Sequence, residues 1–218
     1  MPRRELLLYD LDGTLIDTAE DLTRAANQML KTLDYPPISR AQVLRYVGEG
    51  LQQLVARCVG SDDPELISRG IALFWASYSH HLVDRSRPYP AAPRVLDYFH
   101  GRIQAVVTNK PHSLARRLLD TLGLGGYFID IIGAEGAYPN KPNPAAVRAL
   151  LRRTGLVRAQ ALLVGDSRID VETGRRAGVF TVIVRSGFST PQQLCDAKPD
   201  AVVDNLGELL RIARSNGW

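Results

Sequence analysis

Residues 6–17, which read LLLYDLDGTLID, constrain the fold of this chain more than any other stretch. The apolar run at their start predicts a buried strand. That strand ends at Asp10 and Asp12, and the pair Asp12-Gly13 favours a tight turn. Ligands of an open parallel sheet bind at the carboxyl ends of its strands. The two carboxylates therefore stand where such a sheet places its chemistry, although a turn alone would explain Asp-Gly equally well.

Residues 18–82 show helical periodicity and no strand pattern. Thr18 is a candidate N-cap for the first helix, and Ser39 opens a capping-box pattern for the second. Four helices directly after a first strand are not an ordinary crossover between strands. We therefore expect an inserted helical cap domain at residues 18–82, above a core domain formed by residues 1–17 and 83–218.

The rest of the chain alternates short apolar runs with amphipathic segments, which is typical of α/β proteins. Strands are predicted at residues 103–107, 129–132, 161–164, 180–184 and 201–203, and helices at residues 95–99, 111–122, 144–153, 168–177 and after Asn205. Right-handed crossovers bring the carboxyl ends of these strands to one edge. We expect a doubly wound, mostly parallel, Rossmann-like sheet.

The composition excludes several other classes of protein. Of 218 residues, 45% are hydrophobic and 23% charged, which is typical of a soluble globular protein. No apolar run is long enough to span a bilayer, the start of the chain lacks a signal-peptide pattern, and Cys58 and Cys195 suggest no disulfide framework. We expect a cytoplasmic enzyme. The net charge of +4 is dispersed, so it favours small anionic substrates and not nucleic acid.

Two further segments carry groups that could bind phosphate. Thr108 and Asn109 follow a predicted strand and precede a helix N-terminus, which together could seat a phosphate; capping of that helix is the alternative interpretation. Lys141 stands in a proline-rich loop before another helix. A lysine in such a loop is usually solvated, but this one could supply a point charge to a phosphoryl group.

The segment LLVGDSRID repeats the arrangement of an apolar strand that ends in an acid, here Asp166. Asp170 follows one helical turn later and can lie on the same face. Asp10, Asp12 and Asp166 on one edge would disfavour one another's ionisation. A hard cation removes that conflict, and an all-oxygen site with an open side suits Mg²⁺.

The ordered set DLDGT, TN, KP and GD with a later Asp resembles the four motifs of the haloacid dehalogenase-like superfamily. The helical block, with the loop RYVGEG at residues 45–50, is similar to the cap of its phosphoglycolate phosphatase-like subgroup. The resemblance implies that Asp10 is a nucleophile that forms an aspartyl-phosphate. It implies that Asp12 is the general acid for the leaving oxygen and then the base for the attacking water.

The resemblance also implies how the other residues serve this reaction. Mg²⁺ would be held by Asp10, the backbone carbonyl of Asp12, and Asp166. The phosphoryl oxygens would be bound by Thr108, the backbone N–H of Asn109, and Lys141. Asp170 would orient Lys141 or a metal-bound water.

The resemblance favours a phosphatase for a small phosphorylated metabolite, above all 2-phosphoglycolate. In the cap loop, Arg45 could contact a substrate carboxylate, whereas Glu49 would repel an anionic tail if it reached the site. A sugar-phosphate phosphatase, a phosphomutase and a non-catalytic phospho-ligand binder stay open as alternatives. We expect a monomer or a weak homodimer that binds neither nucleic acid nor membrane.

Overall fold

The computed structural model describes residues 3–218. Met1, Pro2 and the side chain of Cys195 lie outside the described part. The expectation for the start of the chain, and the expectation that Cys58 and Cys195 form no disulfide framework, therefore remain predictions.

Six parallel strands form the central sheet in the order β5-β4-β1-β6-β7-β8. They are β1 (Leu6–Tyr9), β4 (Ile103–Pro111), β5 (Asp130–Ala134), β6 (Ala161–Gly165), β7 (Phe180–Val184) and β8 (Ala201–Val203). Strand β1 lies in the middle, with Leu8 paired to Ala105 on one side and to Leu163 on the other. The chain first builds the sheet to one side of β1 and then returns to build the other side. The carboxyl end of β1 thus lies at the point where the winding direction changes, which is the usual ligand position of such sheets.

Helices cover both faces of this sheet. They are α5 (Ala92–Tyr98), α6 (His112–Thr121), α7 (Ala145–Thr154), α8 (Arg168–Ala177), α9 (Pro191–Ala197) and α10 (Leu206–Ser215). Leu7 and Tyr9 of β1 belong to the larger hydrophobic core, and Leu6 and Leu8 belong to the core on the opposite face. Burial on both faces explains why the strand is apolar at every position. The predicted α/β class and doubly wound parallel sheet are confirmed.

Residues 19–80 contain four helices and no strand: α1 (Ala19–Thr32), α2 (Arg40–Tyr46), α3 (Leu51–Val59) and α4 (Pro64–His80). The predicted capping box at Ser39 is present, because its hydroxyl accepts from the N–H of Gln42 and the Gln42 side chain accepts from the N–H of Ser39. We call this stretch the helical segment.

Two short connections join the helical segment to the rest of the molecule. Strands β2 (Ile16–Asp17) and β3 (Arg87–Pro88) lead into and out of it and pair antiparallel with each other. Beside them, the buried carboxylate of Asp21 accepts hydrogen bonds from the N–H groups of Arg85 and Ser86 and from the Ser86 hydroxyl. The segment therefore leaves and rejoins the core at adjacent points.

The structure corrects some details of the prediction. Thr18 occupies the predicted N-cap position of α1, but its side chain makes no capping hydrogen bond, and the Asp17 carboxylate accepts from the N–H of Ala19. Strand β4 continues past the predicted end at residue 107, since its pairing with β5 resumes at Pro111 after a shift in register. Helix α9 and the strand pair β2 and β3 were not predicted.

None of the helices in residues 3–218 has both the length and the apolar character needed to cross a membrane. Cys58 is a buried thiol whose pKa is raised by burial to about 11.

Candidate active site

The residues predicted for the site lie together at the carboxyl edge of the sheet, which we call the polar edge. Asp10 and Asp12 follow β1, Thr108 and Asn109 lie in the last part of β4, and Asp166 follows β6. Strands β4 and β6 both pair with β1, so these side chains come from three adjacent strands. Lys141 joins them from the loop between β5 and α7, and Asp170 from the first turn of α8.

Lys141 is buried between two carboxylates. Its Nζ lies 2.9 Å from Asp10 Oδ1 and donates to Asp170 Oδ1 at 2.6 Å. Burial alone would lower the pKa of Lys141, but the charges of Asp10 and Asp170 outweigh it and raise that pKa. The side chain therefore carries a fixed positive charge beside Asp10.

The side chain of Asp170 accepts three hydrogen bonds from neighbouring protein groups. Besides Lys141, it accepts from the hydroxyl of Ser167 at 2.6 Å and from the N–H of Ser167 at 3.1 Å. Its contact with the Ser167 N–H, together with the Ser167 hydroxyl that accepts from the N–H of Asp170, forms a capping box at the start of α8. Of the two predicted roles for Asp170, these contacts fit the orientation of Lys141.

The side chain of Asp166 is held by two hydrogen bonds and by the close approach of the backbone at two glycines. Its oxygens accept from the hydroxyl of Thr14 at 3.2 Å and from the N–H of Phe188 at 2.7 Å. A Cβ placed on Gly13 or Gly187 would lie 2.4 Å or less from an atom of Asp166, and Gly13 has a φ of +81°. Only glycine fits at these two positions, so the backbone forms a close pocket around the carboxylate.

The carboxylates of this edge have the chemistry of a cation site. Oxygens of Asp10, Asp166 and Asp170 all lie within 4.8 Å of one another. Burial, opposed in part by Lys141, raises the pKa of Asp10 to about 6, and burial with the charge of Asp10 raises that of Asp166. Buried oxygen donors that resist ionisation on their own fit a hard divalent cation such as Mg²⁺. Asp170 already accepts three hydrogen bonds, more than Asp10 or Asp166, so Asp10 and Asp166 are the side chains better placed to hold the ion.

The carboxylate of Asp12 points away from the other acids. Its Oδ1 accepts from the hydroxyl of Thr18 at 2.8 Å and from Lys110 Nζ at 3.0 Å, and Lys110 also reaches Oδ2 at 3.2 Å. It does not belong to the acidic cluster found among the described residues. The predicted contribution of Asp12 to the metal site therefore rests on its backbone carbonyl alone.

Thr108 and Asn109 do not cap α6, which begins at His112 without a side-chain cap. Thr108 is buried at the polar edge. The Asn109 side chain donates to the backbone oxygens of Gly48 and Lys141 and accepts from the N–H of Lys141. Asn109 thus connects β4 to the helical segment and to the loop that carries Lys141, a role that was not predicted.

A cleft separates the polar edge from the helical segment. Its far wall is mostly apolar and includes Leu44, Leu51 and Phe74, with Arg45 among the lining residues. Glu49 does not line this cleft, and its carboxylate forms an ion pair with Arg57 at 2.8 Å. The concern that Glu49 repels an anionic substrate is therefore not supported by its position.

Lys110, Tyr78 and the hydrogen bond of Thr18 to Asp12 were not predicted from the sequence. Lys110 follows directly after Thr108 and Asn109, so its position at a strand end was a usable signal. Its partners Asp12 and Tyr78 lie 98 and 32 residues away along the chain, and no local pattern indicates such contacts.

The fold, the carboxylates of the polar edge and the order of the sequence motifs together indicate one class of hydrolase. The family model of the haloacid dehalogenase-like hydrolases matches residues 7–184. The chain belongs to this family, and the expected membership is confirmed.

The curated relatives of the chain narrow the class further. It is 34% identical to a phosphoglycolate phosphatase of Vibrio parahaemolyticus, with 95% of each chain covered, and 36% identical to that of Vibrio cholerae, with 95% and 96% covered. The crystal structure of a predicted phosphoglycolate phosphatase from Haemophilus somnus superposes with a TM-score of 0.92 at 30% identity, covering 98% of this chain and 99% of that one. The phosphoglycolate phosphatase-like subgroup and the phosphatase class are confirmed.

Proposed function

We propose that this chain hydrolyses a small phosphate monoester through a covalent aspartyl-phosphate on Asp10, with 2-phosphoglycolate as the substrate. The observation that carries the proposal is the position of Asp10. It is buried, its Oδ1 lies 2.9 Å from Nζ of Lys141, one of its oxygens lies within 4.8 Å of an oxygen of Asp166, and the neighbouring acid Asp12 lines the cleft. These are the groups needed to attack a phosphoryl group and neutralise its charge.

In this proposal, an oxygen of Asp10 attacks phosphorus while Lys141 neutralises the phosphoryl oxygens. The hydroxyl of Thr108 and the N–H of Asn109 bind the same oxygens. Asp170 keeps Lys141 in place through its 2.6 Å hydrogen bond.

Asp12 supplies the proton transfers. It protonates the oxygen of the leaving group, and the resulting carboxylate then takes a proton from the water that hydrolyses the aspartyl-phosphate. The carboxylate lies apart from the acidic cluster and lines the cleft, which supports this division of roles.

We propose that Asp10, Asp166 and the backbone carbonyl of Asp12 hold Mg²⁺. When bound, the ion shields the negative charge that would otherwise oppose attack of one anion on another. The raised pKa values of Asp10 and Asp166 support a site that is completed by a cation.

The proposal of 2-phosphoglycolate is supported by the relatives and by the cleft. The curated phosphoglycolate phosphatases match almost the whole chain. Arg45 lines the cleft from the helical segment and could pair with the substrate carboxylate. Glu49 is held by Arg57 outside the cleft and so does not oppose an anionic tail.

We further propose that residues 18–82 act as a cap domain that selects the substrate. The cleft supports this proposal, because the helical segment supplies its far wall. A cytoplasmic location and a monomeric or weakly dimeric state stay predictions.

The first test is Mg²⁺-dependent phosphate release from 2-phosphoglycolate, sugar phosphates, nucleoside monophosphates, pyrophosphate and p-nitrophenyl phosphate. We expect kcat/KM for 2-phosphoglycolate to exceed that of every other alkyl phosphate at least tenfold, which is about 1.4 kcal/mol of transition-state discrimination.

Asp10→Asn and EDTA treatment serve as controls, and both should abolish release. Activity of Asp10→Asn near the wild-type level would contradict the covalent mechanism. Activity spread evenly over sugar and nucleotide phosphates would contradict the proposed substrate and leave the mechanism in place.

A further inference from the structure

We propose that Lys110 and Tyr78 are positioning residues that hold the carboxylate of Asp12 in place for its proton transfer to the leaving group. This inference rests on the proposed function, since it assigns how the acid of that reaction is held. It concerns two residues that lie outside the motifs on which the resemblance depends.

The contacts of Lys110 carry the inference. Its Nζ is buried and donates to Asp12 Oδ1 at 3.0 Å, to Asp12 Oδ2 at 3.2 Å and to the Tyr78 hydroxyl at 2.7 Å. The same nitrogen lies 4.5 Å from the centre of the Tyr78 ring. An ammonium group has three donors, so these contacts use all of them.

These three hydrogen bonds distinguish Lys110 from a lysine that binds phosphate. Lys141 pairs with Asp10, the proposed nucleophile, whereas the ion pair of Lys110 is with Asp12. A buried ammonium with its donors occupied has none to offer a phosphoryl oxygen. Lys110 is therefore placed to act on the substrate through Asp12.

The hydrogen bonds also distinguish the two oxygens of Asp12. Oδ1 accepts from both Thr18 and Lys110, whereas Oδ2 has only the longer contact with Lys110. Oδ2 is thus the oxygen free to carry the proton. In the transfer, the Oδ2–H bond breaks and an O–H bond forms on the leaving oxygen. The P–O bond gives its electron pair to that oxygen as Asp10 bonds to phosphorus.

Tyr78 links this arrangement to the helical segment. It lies on α4, is fully buried, and burial raises its pKa, so its neutral hydroxyl accepts from Lys110. Lys110 and Asp12 belong to the polar edge. The position of the acid therefore depends on a contact between the helical segment and the sheet.

The test uses the chemistry of the leaving group. An alkyl alcohol leaves slowly unless it is protonated, whereas p-nitrophenolate leaves without help from an acid. The constant kcat/KM reports on steps up to release of the leaving group, so it isolates this transfer. We would measure it in Mg²⁺ for p-nitrophenyl phosphate and for the alkyl phosphate that the wild type hydrolyses fastest.

For Lys110→Met we expect kcat/KM on the alkyl phosphate to fall about 100-fold, the low end of what a positioned acid contributes, and the value for p-nitrophenyl phosphate to fall less than about fivefold. Tyr78→Phe keeps the ring and removes the hydroxyl, and it should give a smaller change with the same dependence on leaving group. Lys31→Met and Tyr35→Phe, which alter partly or fully exposed side chains on the helical segment, are the matched controls.

Equal losses for both leaving groups would overturn the inference, because a general structural or phosphate-binding role lowers both alike. Unchanged kinetics in both variants would also overturn it. If Lys110→Met does not fold, as judged by circular dichroism, the result for Tyr78→Phe decides. A wild-type protein that releases no phosphate from any ester refutes the proposed function itself, and the inference with it.

Discussion

At the scale of single residues, the site is built from charges that are unfavourable without a partner. Asp10 and Asp166 are buried and close to each other, and the pKa of each carboxyl group is raised. Lys141 neutralises only part of their charge. Such groups lower stability in return for reactivity, which is a common property of active sites.

The raised pKa of Asp10 predicts how stability changes with pH in metal-free protein. Its pKa is about 3.8 in the unfolded chain and about 6 in the fold, so the folded state binds more protons between these values. The stability that this group contributes is complete below pH 4 and is lost as pH rises through about 6. In EDTA at pH 7, Asp10→Asn should therefore have a Tm higher than the wild type by at least about 2–4 °C, the effect of ~1 kcal/mol in a protein of this size.

Thermal unfolding at pH 4.5 and pH 7 checks this prediction, and the advantage of Asp10→Asn should shrink at the lower pH. Added Mg²⁺ should raise the Tm of the wild type at pH 7 by binding the folded state, with a smaller effect on Asp10→Asn. A lower Tm for Asp10→Asn at pH 7 in EDTA would contradict the assignment of Asp10 as an uncompensated charge.

Site residues could be predicted where a local sequence pattern marks them. Asp10, Asp12 and Asp166 each follow an apolar run, and a parallel sheet brings such strand ends together. Lys110 and Thr18 could not be assigned in this way, because their importance comes from contacts with Asp12. Thr18 has the residue type and position of an N-cap, and only the fold shows that its hydroxyl turns to Asp12 instead.

At the scale of elements, strands formed by short, mostly apolar runs between amphipathic segments were the easiest to predict. Strands β7 and β8 begin and end where the pattern placed them. Strands β2 and β3 have two residues each, which is too short for any periodicity to appear. They exist because the two connections to the helical segment run side by side.

Asp21, in the first turn of α1, is expected to stabilise the connections to the helical segment. Asp21 is buried and accepts from two backbone N–H groups and one hydroxyl of residues 85 and 86. Asp21→Ala should lower the free energy of unfolding by about 3 kcal/mol, since it leaves these donors buried without an acceptor. Urea denaturation measures the change. Asp62→Ala, at an exposed position, is the control and should stay within about 0.5 kcal/mol of the wild type. An equal, small effect of both substitutions would contradict a stabilising role for the hydrogen bonds that Asp21 accepts.

At the scale of the whole molecule, the polar edge and the helical segment enclose one cleft from opposite sides. Arg45 lines it from α2, across from the proposed nucleophile. If Arg45 pairs with the carboxylate of 2-phosphoglycolate, Arg45→Ala should raise KM for this substrate about tenfold, the effect of losing one charged contact of ~1.4 kcal/mol.

Steady-state kinetics with p-nitrophenyl phosphate, which has no carboxylate, should show little change in Arg45→Ala. Arg69→Ala alters an exposed arginine of α4 outside the cleft and is the matched control. An increase of KM by the same factor for both substrates would show that Arg45 does not recognise the carboxylate.

The pairing of β2 with β3 has a consequence for how such an enzyme can diversify. The chain leaves at Asp17 and returns at Arg87, and these two residues are direct neighbours across a short ladder. A segment of different length or shape could begin and end at the same two points without displacing any strand of the sheet. In the proposed function, most of the groups that cleave the bond lie outside the helical segment, and most of those that select the substrate lie within it, with Tyr78 as the contact between the two sets. Mutation can change one while selection preserves the other.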